Sequence, residues 1–127
     1  MRKGIKLLEE ILGDGPVIER HRFYQLSLRY WLNHGDPIYW AQPEGLCDRY
    51  RILDGGKQLI SDFRFDREFL ISGIFYGIEG MRIGGTRKLK ISPHLAYRDQ
   101  GIEGRIPPNS VIIVQVQVIE ERKMKHY

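Results

Sequence analysis

Residues 70–97, LISGIFYGIEGMRIGGTRKLKISPHLAY, include the one segment of the chain with the periodicity of a short buried helix. Within Ser72 to Gly80 and the residue before it, apolar side chains recur at the i, i+3, i+4 and i+7 positions of one helix face: Ile71, Ile74, Phe75 and Ile78. Gly73, Gly77 and Gly80 lower the helix propensity of this segment. Because glycine lacks a Cβ, these residues predict a helix that lies in close contact with a sheet.

Alternating apolar and polar residues predict strands on both sides of this helix. The alternation runs from Tyr24 to Leu32, and the turn residues 33–37 follow it. Ile38, Tyr39 and Trp40 then begin a second strand or form the edge of a cleft. After the helix, Thr86 to Ile91 alternates again, and Val111 to Ile119 is a long β-branched run. The predicted class is α+β, an antiparallel sheet of five to six strands wrapped around one short helix.

The two ends of the chain differ from this central domain. Helical spacing relates Ile5, Leu8, Ile11 and Leu12, and Gly13 and Gly15 stop the pattern, so an extra short helix is predicted over residues 1–12. Residues 13–120 are predicted to form the domain, and 121–127 a charged C-terminal tail. Residues 41–62 have weak periodicity and are predicted to be irregular, with one short strand near Tyr50 to Leu53.

Composition excludes several classes of protein. The chain has 127 residues, of which 42% are hydrophobic and 28% charged, which is typical of one soluble globular domain and not of a membrane protein. The net charge of +4 is spread along the chain, so nucleic-acid binding is not predicted. Glu9 and Glu10 interrupt the only apolar run that could resemble a secretory leader. Since Cys47 is the sole cysteine, no internal disulfide can form, and we expect a cytoplasmic protein.

No metal or cofactor site is predicted. The four histidines are scattered and there is no second cysteine, so metal-ligand spacings are absent. No serine or cysteine lies in the setting of a catalytic nucleophile, and no glycine-rich stretch has the pattern of a phosphate-binding loop. What stands out is a set of apolar residues beside loops: Tyr30, Tyr39, Trp40, Ile74, Tyr97, Ile102 and Ile106. These residues form either the rim of the core or an apolar cleft.

From residue 70 to residue 119 the sequence resembles the FKBP family of peptidyl-prolyl isomerases without a gap. The matching motifs are Leu70-Ile71, Gly73, Gly77, Gly80-Met81, Gly84, Arg87-Lys88-Leu89, Ile91 to Tyr97, Gly101, Gly104, Ile106 to Ser110, Val114, Val116 and Val118. The resemblance is weaker over residues 13–40, and residues 41–69 match poorly. It implies a cleft that binds proline-containing peptides and lowers the barrier to rotation of the X-Pro bond, with no cofactor.

The resemblance also implies roles for particular residues. Tyr97 matches the tyrosine whose hydroxyl donates to a ligand carbonyl, and the backbone N–H of Ile71 matches the second donor. Leu70, Ile71, Ile106 and Tyr30 match the pocket walls. These assignments are expectations carried by position in the family motif.

Departures from the family pattern predict an altered pocket. Ile74 stands where the family has a tryptophan floor, and Val114 replaces a phenylalanine on the last strand. Tyr39 and Trp40 stand where the family has an aromatic-Asp pair, but no carboxylate follows them, and Ile102 lies at a variable position of the flap loop. A missing aromatic floor removes contact area for a proline ring. We therefore expect weak macrolide binding and reduced isomerase activity, unless Trp40 serves as a substitute floor.

Two functions follow from the resemblance and its departures. The first is a peptidyl-prolyl cis-trans isomerase of the FKBP type that assists protein folding. Its substrates would be proline-containing peptides or unfolded protein segments. The alternative is a non-catalytic FKBP-like module that binds a protein or peptide in the same cleft. Either would act as a cytoplasmic monomer without nucleic-acid or membrane partners.

Overall fold

The computed structural model describes residues 1–40 and 51–123 as a sheet packed on one helix. In the described part of the chain the strands are β1 Ile5–Ile11, β2 Phe23–Leu32, β3 Pro37–Ile38, β4 Arg51–Leu53, β5 Gln58–Arg64, β6 Thr86–Ile91 and β7 Ile112–Arg122. The helix α1 is Ser72–Ile78, and short 3-10 turns cover Asp54–Gly56 and Pro93–Leu95. The predicted α+β class is confirmed.

All the strand pairs are antiparallel, and their order is β1-β6-β7-β2-β5-β4, with β3 paired to β2. The long strands β2 and β7 therefore lie at the centre, with Tyr30 directly opposite Val114. Alternate residues of β7 are buried, including Val114, Val116 and Val118, as expected for a sheet with one face on the core. Helix α1 packs against β1, β6 and β7.

The predicted N-terminal helix is wrong, because Ile5–Ile11 forms strand β1 and pairs with β6 from Ile5 opposite Ile91 to Ile11 opposite Thr86. Only Ile5 of the predicted apolar helix face is buried, whereas Ile11 and Leu12 are 68% and 77% exposed. The helical spacing thus did not mark a buried face. Hydrogen bonding to β6 satisfies the backbone of this segment instead.

The sheet extends past both predicted boundaries of the domain. Strand β1 belongs to the sheet of the domain that was predicted to begin at residue 13, and β7 continues through Glu121 to Arg122, beyond the predicted boundary at 120. Residues 124–127 of the predicted tail and 41–50 of the predicted loops lie outside the described residues. Strand β4 agrees with the predicted strand up to Leu53, whereas β5 was not predicted.

Two of the three glycines confirm the predicted close contact between α1 and the sheet, whereas Gly80 lies after the helix with a φ of 90° and touches no strand closely. A Cβ on Gly73 would lie 2.3 Å from Cγ2 of Ile91, and one on Gly77 would lie 2.5 Å from Cδ1 of Leu89. Real Cβ atoms do not approach other carbons so closely, so glycine is what allows α1 to lie against β6. This close packing also fixes the start of the helix, where Ile71 and Ser72 lead into it.

Among the described residues, no helix is long and apolar enough to cross a lipid bilayer.

Candidate functional site

A small apolar cavity of about 140 Å³ lies where β2, β5 and the start of α1 meet the loop after β6. The residues that line it are apolar or aromatic: Leu28, Tyr30, Trp40, Leu59, Phe63, Phe69, Leu70, Ile71, Ile74 and Tyr97. We call it the aromatic pocket. Since none of its described lining residues is charged, the aromatic pocket suits an uncharged ring removed from water.

Two tyrosine hydroxyls meet in this pocket. The hydroxyl of Tyr97 donates to that of Tyr30 across 3.1 Å, and the ring centroids are 6.2 Å apart. Tyr30, on β2, is only 4% exposed, whereas Tyr97 is half-buried beside the opening. A hydroxyl can donate and accept at once. The Tyr97 hydroxyl can thus keep contact with Tyr30, by accepting a hydrogen bond from its O–H, while it donates to a bound carbonyl.

Both phenols stay protonated over the neutral pH range. Burial raises the pKa of Tyr30 well above its ordinary value, and the neighbouring Tyr97 adds to the rise. Burial also raises the pKa of Tyr97, although the hydrogen bond to Tyr30 partly offsets that rise. The pair can therefore supply a neutral hydrogen-bond donor, and it is not a general base near pH 7.

Trp40 and Ile74 occupy adjoining parts of the aromatic pocket. The ring centroid of Trp40 lies 4.7 Å from that of Tyr30, at an interplanar angle of 55°. Its backbone N–H donates to the carbonyl of Gly56, while its indole Nε1 is buried without a hydrogen-bond partner among the described residues. Ile74 on α1 is 1% exposed. The indole thus supplies an aromatic surface in a pocket whose helix side carries an aliphatic residue.

Six of the sequence-predicted site residues come together in this pocket: Tyr30, Trp40, Leu70, Ile71, Ile74 and Tyr97. The others lie elsewhere. Tyr39 is about half exposed, and Val114 is fully buried on β7, where it pairs with Tyr30 across the strands but does not line the pocket. Ile102 and Ile106 bond to each other through their backbones and line a separate cavity of about 500 Å³ in the loop before β7.

The prediction omitted four residues of the aromatic pocket: Leu28, Leu59, Phe63 and Phe69. Leu59 and Phe63 are four residues apart on β5 and so project from the same face of the strand. That period-two spacing was a usable signal, but it lay in the segment where the family resemblance is weak. Phe69 is 53% exposed and lies at the pocket, just before Leu70.

Among the residues that the structure describes, neither a cluster of metal ligands nor a nucleophile lines this site. Within residues 1–40 and 51–123, no three His, Cys, Asp or Glu side chains converge as metal ligands would. Among the described lining residues of the aromatic pocket, the two tyrosines carry the hydroxyls, and both are neutral and hydrogen-bonded. These residues can supply desolvation, shape and hydrogen bonding.

Fold and pocket together define a small antiparallel-sheet domain with an apolar ligand pocket at the start of its single described helix. A family model described as FKBP-type peptidyl-prolyl cis-trans isomerase matches residues 48–119, more than half of the chain. The chain therefore belongs to the FKBP-type peptidyl-prolyl cis-trans isomerase family. The resemblance seen in the sequence is confirmed.

Relatives extend the match to nearly the whole chain. FK506-binding protein 4 of Aspergillus fumigatus is 30% identical over 119 residues, which are 93% of this chain and 21% of that protein. FK506-binding protein 4 of Emericella nidulans is 40% identical over 119 residues, again 93% of this chain and 22% of that protein. This chain thus spans about a fifth of the length of these relatives.

Solved structures support the fold. The crystal structure of AtFKBP13 superposes with a TM-score of 0.68 at 24% identity, covering 94% of each chain. A peptidyl-prolyl cis-trans isomerase from Pseudomonas syringae gives a TM-score of 0.65 at 19% identity, covering 96% of this chain and 84% of the other. At these identities the two structures support the architecture alone.

Proposed function

We propose that this domain is a peptidyl-prolyl cis-trans isomerase that binds the proline ring of a peptide in the aromatic pocket. The observation that carries the proposal is the Tyr97 hydroxyl, which is held by Tyr30 in a pocket whose described lining residues are uncharged and include Ile71. The Tyr97 hydroxyl and the Ile71 backbone N–H are the two donors that the family resemblance implies. Membership of the family supports the same reaction.

The proposed reaction needs no covalent chemistry. Rotation about the X-Pro bond is slow because the planar amide loses resonance, with a barrier of about 18–20 kcal/mol. The twisted amide has less charge separation than the planar one, so transfer into an uncharged pocket favours it. Each factor of ten in rate requires about 1.4 kcal/mol of preference for the twisted form over the planar form.

The size of the pocket supports a small ligand group. Sites that enclose drug-sized molecules have volumes of roughly 300–1,000 Å³, whereas the aromatic pocket has about 140 Å³. A single proline ring matches the smaller volume better than a macrolide does. We therefore propose proline-containing peptides and unfolded segments as ligands, with weak macrolide binding.

The setting of the activity is also part of the proposal. A single chain supplies all ten described lining residues of the aromatic pocket, which supports action as a monomer. Cys47, the sole cysteine, leaves no internal disulfide to require an oxidising compartment, which supports a cytoplasmic location.

A binding module without catalysis is the second candidate function, and the contents of the pocket favour it. Ile74 offers no flat ring on the helix side, and the Trp40 indole fills space beside Tyr30. A pocket filled in this way can hold a peptide and still distinguish poorly between planar and twisted amides.

Catalysed exchange between the cis and trans signals of short X-Pro peptides, measured by NMR, separates the two functions. We expect the parent protein to accelerate exchange and Tyr97→Phe to reduce the acceleration about 2- to 10-fold, the range expected for one lost neutral hydrogen bond. Tyr24→Phe is the matched control, because its hydroxyl accepts a bond from the Glu19 backbone N–H and lies outside the aromatic pocket. That control should leave exchange unchanged.

The outcomes distinguish the candidates. Peptide-induced shifts at pocket residues without accelerated exchange would establish the binding module instead. Equal losses in Tyr97→Phe and Tyr24→Phe would show that the effect is one of stability and would refute the role of the Tyr97 hydroxyl.

A further inference from the structure

An open groove of about 720 Å³ lies next to the aromatic pocket and differs from it in charge. Three arginines line it, Arg2, Arg67 and Arg98, together with His94. The groove has a single carboxylate among its described lining residues, that of Asp99. With His94 neutral, three positive charges and one negative charge leave a net charge of +2. We call this the basic groove.

Among the described residues, the arginines of the basic groove have no anionic partner. Six of the described arginines form side-chain ion pairs within 4 Å: Arg20, Arg22, Arg29, Arg64, Arg87 and Arg122. Among residues 1–40 and 51–123, no carboxylate lies within that distance of Arg2, Arg67 or Arg98. Their positive charges are thus available to a ligand.

The cationic side chains are nevertheless positioned rather than free in solution. The guanidinium carbon of Arg2 lies 3.5 Å from the ring centroid of Tyr76, a cation–π contact. Nη1 of Arg67 donates to the Tyr76 hydroxyl across 3.1 Å. The neighbouring guanidinium groups of Arg67 and Arg2 lower the pKa of Tyr76 from its ordinary value. Tyr76 therefore holds two cations at one side of the groove.

The third cation is anchored through its backbone. The N–H of Arg98 donates to the Pro93 carbonyl at 2.9 Å, and its own carbonyl accepts from the Asn109 N–H at 2.7 Å. Arg98 has a φ of 55°, in the left-handed region. This fixed turn carries the chain directly from the pocket residue Tyr97 into the groove.

The basic groove and the aromatic pocket are adjacent along two segments of chain. Ile71 lines the pocket and Ser72 the groove; likewise, Tyr97 lines the pocket and Arg98 the groove. Consecutive Cα atoms are only about 3.8 Å apart. A peptide with its proline in the pocket would therefore have residues on one side of that proline within reach of the groove.

We infer that the basic groove binds carboxylate or phosphate groups of the same peptide whose proline occupies the aromatic pocket. This inference rests on the proposed function, and it assigns the substrate class as proline segments with acidic or phosphorylated residues on one side of the proline. A peptide is favoured over a nucleic acid because the groove is continuous with a pocket of the size of a proline ring. Guanidinium groups form paired hydrogen bonds with both carboxylates and phosphates.

Four matched peptide designs test the inference with the full chain. Each peptide contains one X-Pro bond. The first has neutral residues on both sides of the proline, the second has glutamate before it, and the third has glutamate after it. The fourth has phosphoserine at whichever of these two positions binds better. Affinities come from NMR titration that follows the arginine Nε–H signals, and exchange rates come from the same samples. We expect glutamate on one side to raise the affinity about 3- to 10-fold over the neutral peptide, and about 0.3 M salt to remove most of that gain.

Variants identify which charges act. Arg67→Gln should weaken binding of the acidic peptide about 2- to 5-fold, the range for a partly exposed ion pair, and leave the neutral peptide unaffected. Arg98→Gln should do the same, and the double variant should remove the preference. Arg51→Gln on β4 is the matched control, since it removes the same charge from an exposed arginine outside the groove. All three positions are exposed, so the fold should persist, which the NMR spectrum checks.

Several results would overturn the inference. One is equal affinity for neutral and acidic peptides; another is a loss in Arg51→Gln as large as in Arg67→Gln, which would indicate the general field of the protein. A single-stranded oligonucleotide that binds the groove more tightly than every acidic peptide would assign it to nucleic acid. Failure of the proposed function can be distinguished from failure of this inference. If only the proposed function fails, no peptide shows accelerated exchange, while an acidic peptide without proline still shifts the signals of the groove arginines.

Discussion

Removing the two pocket hydroxyls one at a time should have unequal effects on stability. In Tyr97→Phe, the Tyr30 hydroxyl loses its partner while its residue is 4% exposed, so water cannot replace the bond. A buried hydroxyl oxygen that loses its hydrogen-bond donor is left unsatisfied, which costs about 1–3 kcal/mol. In Tyr30→Phe, the remaining Tyr97 hydroxyl lies on a half-buried residue at the pocket opening and can reach water. That variant loses only the net value of a neutral hydrogen bond, about 0.5–1.5 kcal/mol.

The double variant gives the sharpest result. Replacing both partners of a buried hydrogen bond by apolar groups is nearly neutral, so adding Tyr30→Phe to Tyr97→Phe should restore about 1–2 kcal/mol of stability. Urea unfolding measures this directly: with a slope of about 1–3 kcal/mol per molar, the midpoint should rise by about 0.5–1 M from the single to the double variant. Trp40 beside Tyr30 provides the fluorescence signal. If instead the two losses add, the Tyr30 hydroxyl has another partner and the reasoning is refuted.

Two further predictions concern helix packing and pH. Gly73→Ala would place a Cβ 2.3 Å from Cγ2 of fully buried Ile91. We expect this overpacking to lower the free energy of unfolding, measured in urea, by about 1–3 kcal/mol. An unchanged urea midpoint would contradict the close packing. Burial raises the pKa values of Tyr30 and Tyr97 above that of an unfolded tyrosine, about 10, so the folded state keeps these protons longer. The contribution of these two protons to stability is full below about pH 10 and is lost as the pH rises through the folded pKa values. The decline in urea midpoint between about pH 9 and 11 should therefore be smaller in Tyr30→Phe than in the parent. An equal decline in both proteins would contradict the raised pKa of Tyr30.

Elements with a complete local pattern could be predicted from the sequence. The alternation from Tyr24 to Leu32 extends over nine residues, and strand β2 follows it closely. The helix from Ser72 was similarly marked by its apolar spacing and its glycines. The segment Ile5 to Leu12 was too short to separate a helical from an extended pattern. What decides its conformation is pairing with β6, some 80 residues away in the chain, which no local window contains.

Some residues of the candidate site could likewise be predicted from the sequence, and others could not. Leu70, Ile71 and Tyr97 could be placed because they fall within the stretch that resembles the family. Phe63 could not, because it lies where that resemblance fails. The hydrogen bond between Tyr30 and Tyr97 joins residues 67 positions apart, and it requires both the register of β2 and the turn after β6. Neither can be derived from residue spacing.

The central position of β7 has a consequence for how the domain is made. In the sheet, β7 is hydrogen-bonded to β6 on one side and to β2 on the other, although it is the last strand in the described chain. A nascent chain that ends before Ile112 has β1 and β6 in one fragment of sheet and β2, β5 and β4 in another, with no strand to join them. Such non-local pairing is slow to form. Folding during synthesis must therefore wait until the ribosome has released the final strand, and until then the apolar residues of both sheet fragments remain accessible to chaperones.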